Sequence, residues 1–512
     1  MRSWELALDL DPAADRPIFL QIAHAIADDI RRGRLRPGAP LPGSRVLGRT
    51  LGVNRNTVLA AYQELGAQGW IETLPARGTR VSAAVPDPAP RRFAPRSASR
   101  TAVPARLGFD LGPGIEPYPQ PSFSKGTLVL AGGVPDLRLV PVAALARAYR
   151  RALLTEVKVR GEAGPALAGL VSSTRAPSTL VPSTLDYGDP RGHPRLREAL
   201  AAMLSTVRGL AVEPEALLVT RGSQMALDLT ARALLSPGSV VAVESFGYRP
   251  AWEAFKQAGA RLVPVPVDEQ GLDIGALAAL IAREPVRAVY VTPHHQYPTT
   301  AVLAPGRRMA LLDLCRAHRV AILEDDYDHE FHYDGRPVLP LASADQAGVV
   351  VYLGTLSKIL APGLRIGFVV APAPLIERLA ALRTYVDRQG DHTVERAVAE
   401  LLEDGEVQRH ARKARRVYEG RRDAMAGALT KELGAALSFT LPVGGMALWA
   451  RAAPEIDVDA WAERALEQRV GFATAKRFAF DGRRRPFLRL GFASLNEREI
   501  REAVRRMARA LP

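Results

Sequence analysis

Lys358 stands in LGTLSKILAPGLRIGF, Leu353 to Phe368, a run that is otherwise mostly aliphatic. An ammonium in such a setting snorkels to water, finds an ion-pair partner, or has its pKa lowered by desolvation until the amine becomes a nucleophile. Its neighbours favour the third reading, since Thr355 and Ser357 lie three residues and one residue before it and Arg365 seven after. Two hydroxyls and a guanidinium beside a desolvated amine describe a phosphate anchor next to a group that condenses with an aldehyde. Pyridoxal 5'-phosphate needs that pairing, an aldehyde for the lysine and a phosphate that fixes the ring.

Such a cofactor makes further demands. Its ring nitrogen works as part of an electron sink when protonated, so a carboxylate is expected at the carboxyl end of a strand. VAILEDDYDHEF supplies Asp325 there, and Tyr327 two residues on can meet the phenolic oxygen. The same acids also suit a solvated turn or a metal, but near them only His329 and Glu330 stand out and no matching ligand set is evident, so no metal site is expected. Phosphate favours backbone N–H groups at a helix start, and VTRGSQMALDL puts Gly222, Ser223 and Gln224 at a strand-to-helix turn. VESFGYRPAW offers Tyr248, after another strand, as a cover for the ring. Each feature is common in isolation; their order along the chain ties them to one ligand.

These residues need a frame. From about Lys125 the runs ALLVT, VVAVES, RLVPVPV, RAVYVTP, VAILED and VVVYLGT alternate with helical segments such as SQMALDLTARALL. That alternation predicts an α/β fold with a mainly parallel sheet, helices on both faces, and ligand groups at the carboxyl ends of the strands. After about Ala371 a helix-rich pattern ending in FLRLGFASLNEREIREAVRRMARAL predicts a smaller α+β lobe. APSTLVPSTL, Ala176 to Leu185, reads as a loop insertion. The single cysteine, Cys315, falls among apolar residues at helical spacing and reads as core; one cysteine also rules out an intramolecular disulfide and suits a reducing interior. No apolar run approaches the roughly 18 residues of a membrane span. MRSWELALDLDPAADRP carries early acids and no continuous apolar stretch, so no signal peptide is expected and a cytoplasmic location is.

At 512 residues the chain should hold two or more domains. A hydrophobic content of 47% with 24% charged residues is that of an ordinary globular protein. The net charge of +14 reflects either a polyanionic partner or a generally arginine-rich composition. PIFLQIAHAIADDIRRG puts Phe19, Ile22, Ile26 and Ile30 on one helical face between Pro17 and Gly33. SRVLGRTLGVNRNTVLAAYQELGAQG then predicts two helices joined at Leu51, Gly52 and Val53, with Ser44 capping the first and Asn54 the second. Asn54, Arg55, Asn56 and Thr57 crowd the start of the second, where a recognition helix meets bases and phosphates. WIETLPARGTRVS follows as two short strands around a glycine tip flanked by Arg77 and Arg80, a wing able to reach a groove. Residues 83–124, dense in Pro, Arg, Ser and Gly, read as an extended basic linker.

PGAPLPGSR, LGVNRNTVLAAYQEL and GWIETLPARGTRV resemble a GntR-type winged helix-turn-helix over residues 16–82, and residues from about 128 to 510 look like a fold-type I aminotransferase domain. Joined, they resemble the MocR/GabR group of transcriptional regulators over almost the full length: a DNA-binding domain at 1–82, the linker at 83–124, and a cofactor-binding effector domain at 125–512. The resemblance implies that Lys358 forms a Schiff base with pyridoxal 5'-phosphate, that Asp325 meets the pyridine nitrogen and that Tyr327 meets the phenolic oxygen. It also implies that Ser223, Gln224, Thr355, Ser357 and Arg365 serve the phosphate, with Tyr248 stacked on the ring. DYGDPRG is similar to the segment that carries a tyrosine to the neighbouring subunit, which would make Tyr187 a contact in trans within a homodimer, one that can be domain-swapped. Arg489 in FLRLGF matches the arginine that binds a substrate or effector carboxylate, a surface ion pair being the alternative. Double-stranded operator DNA would meet Ser44, Arg45, Asn54, Arg55, Asn56, Thr57, Arg77, Gly78 and Thr79.

One segment departs from the pattern. Aminotransferases present Asn-Pro-Thr-Gly by the cofactor, whereas TPHHQYPTT has Tyr297 before the proline and Thr300 in place of glycine, and leaves His295 and Gln296 unassigned. Two functions follow: a regulator that senses a small amine or amino acid, or the cofactor itself, at Lys358; or an active aminotransferase with an appended DNA-binding module.

Overall fold

A computed structural model describes residues 10, 17–74, 78–83, 108–111, 118, 123–130, 132–162, 184–335 and 338–511, and divides the chain into two compact units, 1–115 and 116–512. In the first, the apolar spacing forms α1 (Ile18–Arg31), with Ile22, Ile26 and Ile30 buried and Gly33 ending it in the left-handed region. Two further helices, α2 (Ser44–Leu51) and α3 (Arg55–Ala67), flank a turn that needs a glycine, because Gly52 sits at φ 66°. Asn54 caps α3 as expected, its Oδ1 accepting from Asn56 N at 2.8 Å. Ser44 does not cap α2. The extended backbone of Gly43 starts the helix one residue earlier, and the Ser44 hydroxyl instead accepts from Arg55 Nε at 3.4 Å, joining the two helix starts.

The wing pairs β1 (Ile71–Leu74) with β2 (Gly78–Val81) antiparallel, Ile71 opposite Val81. Arg77, at its tip, lies outside the described residues. Ile22, Ile26, Leu47, Val58, Leu65, Trp70 and Val81 close the core of this unit, each aliphatic side chain among them contributing about 1.5–3 kcal/mol by burial.

In the second unit the apolar runs become β3 (Leu217–Thr220), β4 (Val240–Glu244), β5 (Arg261–Val265), β6 (Val286–Val291), β7 (Ala321–Asp326), β8 (Val350–Thr355) and β9 (Gly367–Val370). They form a seven-stranded sheet in the order β3-β9-β8-β7-β6-β4-β5. β9 runs antiparallel to both its neighbours, and the remaining pairings are parallel. Two-sided burial explains why these strands read as continuous apolar runs rather than alternating ones. Cys315 is fully buried in the core beside β4 and β6, as its spacing predicts.

The smaller lobe has a four-stranded antiparallel sheet of β10 (Leu437–Phe439), β11 (Ala447–Ala452), β12 (Ala473–Thr474) and β13 (Phe487–Gly491), in the order β10-β11-β13-β12. The long helix Glu406–Leu433 and the helix Glu497–Arg509 pack with it around Trp461, whose indole donates to Met507 O at 2.9 Å. Among the described residues no helix is long and apolar enough to cross a membrane. The proposed linker at 83–124 and the insertion at 176–185 lie mostly outside the described residues.

Candidate functional site

Side chains alternate along a strand, so the adjacent acids at the end of β7 face opposite ways. Asp325 Oδ2 accepts from Tyr290 Oη at 2.7 Å, whereas Asp326 Oδ2 accepts from Tyr352 Oη at 2.7 Å and meets His329 Nδ1 at 2.9 Å. Tyr290 reaches Asp325 because β6 and β7 pair with Tyr290 opposite Leu323, which puts Asp325 two residues further along the same face. Burial pushes Asp325 up to about 6, while the Tyr290 hydroxyl and the nearby Lys358 charge pull the other way.

Lys358 follows the end of β8, and its Nζ donates to Gly133 O at 2.5 Å. Burial lowers its pKa to about 8, and the Arg489 guanidinium adds to that fall against the opposing carboxylates of Asp328 and Asp325. The two cations share one space: a Cβ built on Gly133 would lie 3.9 Å from both Lys358 Nζ and Arg489 Nη1.

Around the start of the helix Ser223–Leu234 the backbone is drawn tight. Gly222 sits at φ 76°, a Cβ there would lie 2.5 Å from Arg365 Nη2, and a Cβ on Gly367 would lie 2.7 Å from the Gly222 carbonyl carbon. Gly222, Ser223 and Arg365 therefore meet at one helix N-terminus, with Arg365 Nη2 donating to Arg221 O at 2.9 Å. Thr355 Oγ1 donates to Ile366 O at 3.2 Å and accepts from Ser357 N at 3.1 Å, tying the β8 turn to the strand that follows. Gln224 Nε2 donates to Pro250 O at 2.9 Å, leaving its Oε1 buried with no partner among the described residues.

An aromatic cage stands opposite. Tyr248 meets Tyr297 edge-on at 5.6 Å between ring centroids, and Tyr297 meets Tyr327 at 6.0 Å. Burial raises the phenols of Tyr248 and Tyr327, so both stay neutral, and Tyr327 Oη donates to His295 O at 3.0 Å. Arg489, on β13, lies 4.7 Å from the Tyr297 ring centroid. It is 1% exposed, and its Nε and Nη1 find no hydrogen-bond partner among the described residues. Gly132 makes room for it, since a Cβ there would run into Nη1. A surface ion pair does not describe this guanidinium.

Tyr187 stands apart, 72% exposed and 4.0 Å beneath the Arg388 guanidinium. In the first unit Arg45, Asn54, Arg55, Asn56 and Gly78 are exposed, and Ser44, Thr57 and Thr79 are half-buried.

Sequence reasoning left the TPHHQYPTT loop without roles. Gln296 braces it, donating to Phe246 O at 2.8 Å and accepting from Thr299 N at 3.1 Å. Thr300 occupies the left-handed region at φ 64°, where glycine would be at ease and a β-branched residue is strained by about 1–2 kcal/mol. Thr300→Gly is therefore expected to raise stability by about 1 kcal/mol after the entropy of an added glycine, read by denaturant titration. The sequence places only His329 and Glu330 near these acids; in the fold, parallel pairing of β6 and β7 brings their two following loops together, and with them His294, His295 and His332. Only that adjacency could have revealed the cluster, because the sequence separates its halves.

The unpartnered nitrogens of Arg489 and the glycine-lined helix start fit a ligand with a phosphate at one end and a carboxylate at the other. Comparisons with known proteins agree. Residues 176–507 match the family described as aminotransferase class I and II, and residues 19–81 match the gntR family of bacterial regulatory proteins. The chain is 29% identical to the probable rhizopine catabolism regulatory protein MocR of Rhizobium meliloti, over 97% of this chain and 94% of that one. It is 32% identical to the HTH-type transcriptional regulator TauR of Rhodobacter capsulatus, over 98% of each. Among solved structures, LysN, the alpha-aminoadipate aminotransferase of Thermus thermophilus complexed with N-(5'-phosphopyridoxyl)-L-leucine, superposes with a TM-score of 0.66 at 32% identity, covering 75% of this chain and 92% of that one.

Proposed function

Because the chain belongs to the class I and II aminotransferase family and joins that domain to a GntR-family helix-turn-helix, as MocR/GabR-type transcriptional regulators do, we propose that its larger domain senses a small amine or amino acid without net turnover. The helix-turn-helix binds DNA, and the family's cofactor is pyridoxal 5'-phosphate. Residues 1–82 would form the DNA-binding domain, 83–124 the tether, and 125–512 the sensor.

The fusion to a GntR-family helix-turn-helix carries the regulator reading, and Arg489 carries the recognition of a carboxylate-bearing amine. A buried guanidinium is retained where a carboxylate meets it, and here an incoming carboxylate would find two unpartnered nitrogens beside Lys358. Bound cofactor supplies an electrophilic carbon that an amine can take over from Lys358, together with an electron sink. The chain's own groups do the rest. Lys358, its pKa near 8, would be the amine that holds that carbon, and Asp325, oriented by Tyr290, would set a carboxylate against the ring nitrogen. Ser223, Gln224, Thr355, Ser357 and Arg365 would anchor the phosphate, Tyr248 would cover the ring, and Tyr327 would meet the phenolic oxygen. Tyr187, exposed in the single chain, would complete the phosphate site of a second copy in a homodimer.

An effector shifts DNA binding only through differential affinity for two arrangements of the protein. The test is DNA protection over the chain's own upstream promoter with and without amino acids, where a carboxylate-bearing amine should change the footprint. The residues proposed for DNA predict more: Arg45→Ala and Arg55→Ala should each weaken promoter binding across sequences and lower the slope of log affinity against log salt by about 1, read by fluorescence anisotropy. A second reading, an active aminotransferase, draws on the same Lys358, Asp325 and Arg489, and differs in releasing oxo acid over many cycles.

A further inference from the structure

The loops after β6 and β7 hold a cluster that the cofactor chemistry does not use. His294, His295 and His332 are buried and offer ligand atoms that all lie within 4.8 Å of one another. His329 joins them, its ring stacked on His294 at 4.6 Å between centroids. Imidazoles in a protein interior normally have their nitrogens satisfied. Here both nitrogens of His294, Nε2 of His295, Nδ1 of His332 and Nε2 of His329 have no hydrogen-bond partner among the described residues.

Two of the rings are held by carboxylates. Asp328 Oδ1 meets His295 Nδ1 at 2.8 Å and Asp326 Oδ2 meets His329 Nδ1 at 2.9 Å, an arrangement that in a neutral ring places the proton on Nδ1 and the lone pair on Nε2. A carboxylate behind an imidazole in this way is the usual support of a metal-ligating histidine. Space at the His295 nitrogen is kept by Gly444, where a Cβ would collide with Nε2.

We propose that His294, His295 and His332 bind a first-row transition cation of the zinc class, with Asp328 as the positioning residue behind His295. Three neutral imidazoles suit zinc, cobalt, nickel or copper rather than magnesium or calcium, which take oxygen ligands. The site would brace the loop whose His295 carbonyl accepts from Tyr327, so the cation lies behind the cofactor pocket rather than in it.

The experiment uses the tag-free, full-length protein, dialysed against chelator and titrated with zinc chloride alone by calorimetry, with cobalt(II) absorption and copper(II) EPR as direct reports of the ligands. One equivalent per chain is expected at micromolar or tighter affinity, with nitrogen hyperfine structure from histidine. His294→Gln and His332→Gln should each weaken binding at least about 100-fold, and Asp328→Asn about 10- to 100-fold. No binding at micromolar zinc, a copper spectrum without histidine nitrogens, or affinity unchanged in the folded His294→Gln and His332→Gln proteins would overturn the site. The spectra of the unmutated protein decide the matter even where a variant does not fold.

Discussion

Lys358→Ala is expected to abolish covalent capture of the cofactor: the visible absorbance of lysine-bound pyridoxal 5'-phosphate disappears, and borohydride no longer fixes the cofactor to the peptide containing residues 353–368. Lys358 is the lysine whose amine is desolvated beside Asp325, at the turn that carries Thr355 and Ser357, so no neighbour replaces it. The loss is chemical rather than structural, and stability separates the two. A lysine whose folded pKa lies near 8 against an ordinary value of 10.5 is destabilising while charged. That penalty, as much as about 3 kcal/mol, is fully present below pH 8 and is relieved as pH rises from 8 toward 10.5, where the folded state has released a proton that the unfolded chain keeps. Cofactor-free Lys358→Met should therefore match or exceed the parent in stability at about pH 7, and lose that advantage as pH approaches about 10. Persistence of the visible band in Lys358→Ala would refute the assignment.

Arg489→Met is expected to separate recognition from capture. The cofactor band should remain, because Arg489 faces the cage of Tyr297 rather than the helix start at Gly222 and Ser223. The response to carboxylate-bearing amines should weaken about 100- to 1,000-fold, the scale of losing one member of a buried charge pair worth roughly 3–4 kcal/mol. Amines without a carboxylate should react as before. Titration of the visible spectrum with an amino acid and its decarboxylated counterpart checks both limbs. Equal losses for the two ligands would place Arg489 in the fold rather than in recognition.

Much of this architecture was legible in the residues. Alternating apolar runs and helical segments foretold the sheet because two-sided burial leaves no other composition for its strands. The Gly222 turn and the carboxylate at the end of β7 could be read because strand ends and helix starts have local signatures. What escaped depended on register and long-range approach. Tyr290 reaches Asp325 only through the pairing of β6 with β7, and Gly132 opens a place for Arg489 from far away in the chain. The histidines of two separate loops meet for the same reason. Ser44 failed as a cap because Gly43 already had the extended backbone of a cap, a choice made by one pair of dihedrals. Thr300 shows the opposite case, in which a β-branched residue stands where the backbone takes the left-handed conformation that favours glycine.

Switching of DNA binding, rather than turnover of substrate, is the role proposed for the cofactor-binding domain. The most direct test mixes cofactor-loaded protein, its upstream promoter, a panel of amino acids and an acceptor 2-oxo acid that can take the amino group back off the cofactor, and follows the visible spectrum, formation of the donor's oxo acid and DNA protection in the same samples. The sensor account predicts that at least one amino acid causes a single stoichiometric spectral change together with an altered footprint, and that the donor's oxo acid never exceeds one equivalent per chain. Many equivalents of the donor's oxo acid with an unchanged footprint would contradict it and make the chain an aminotransferase that happens to carry a DNA-binding domain.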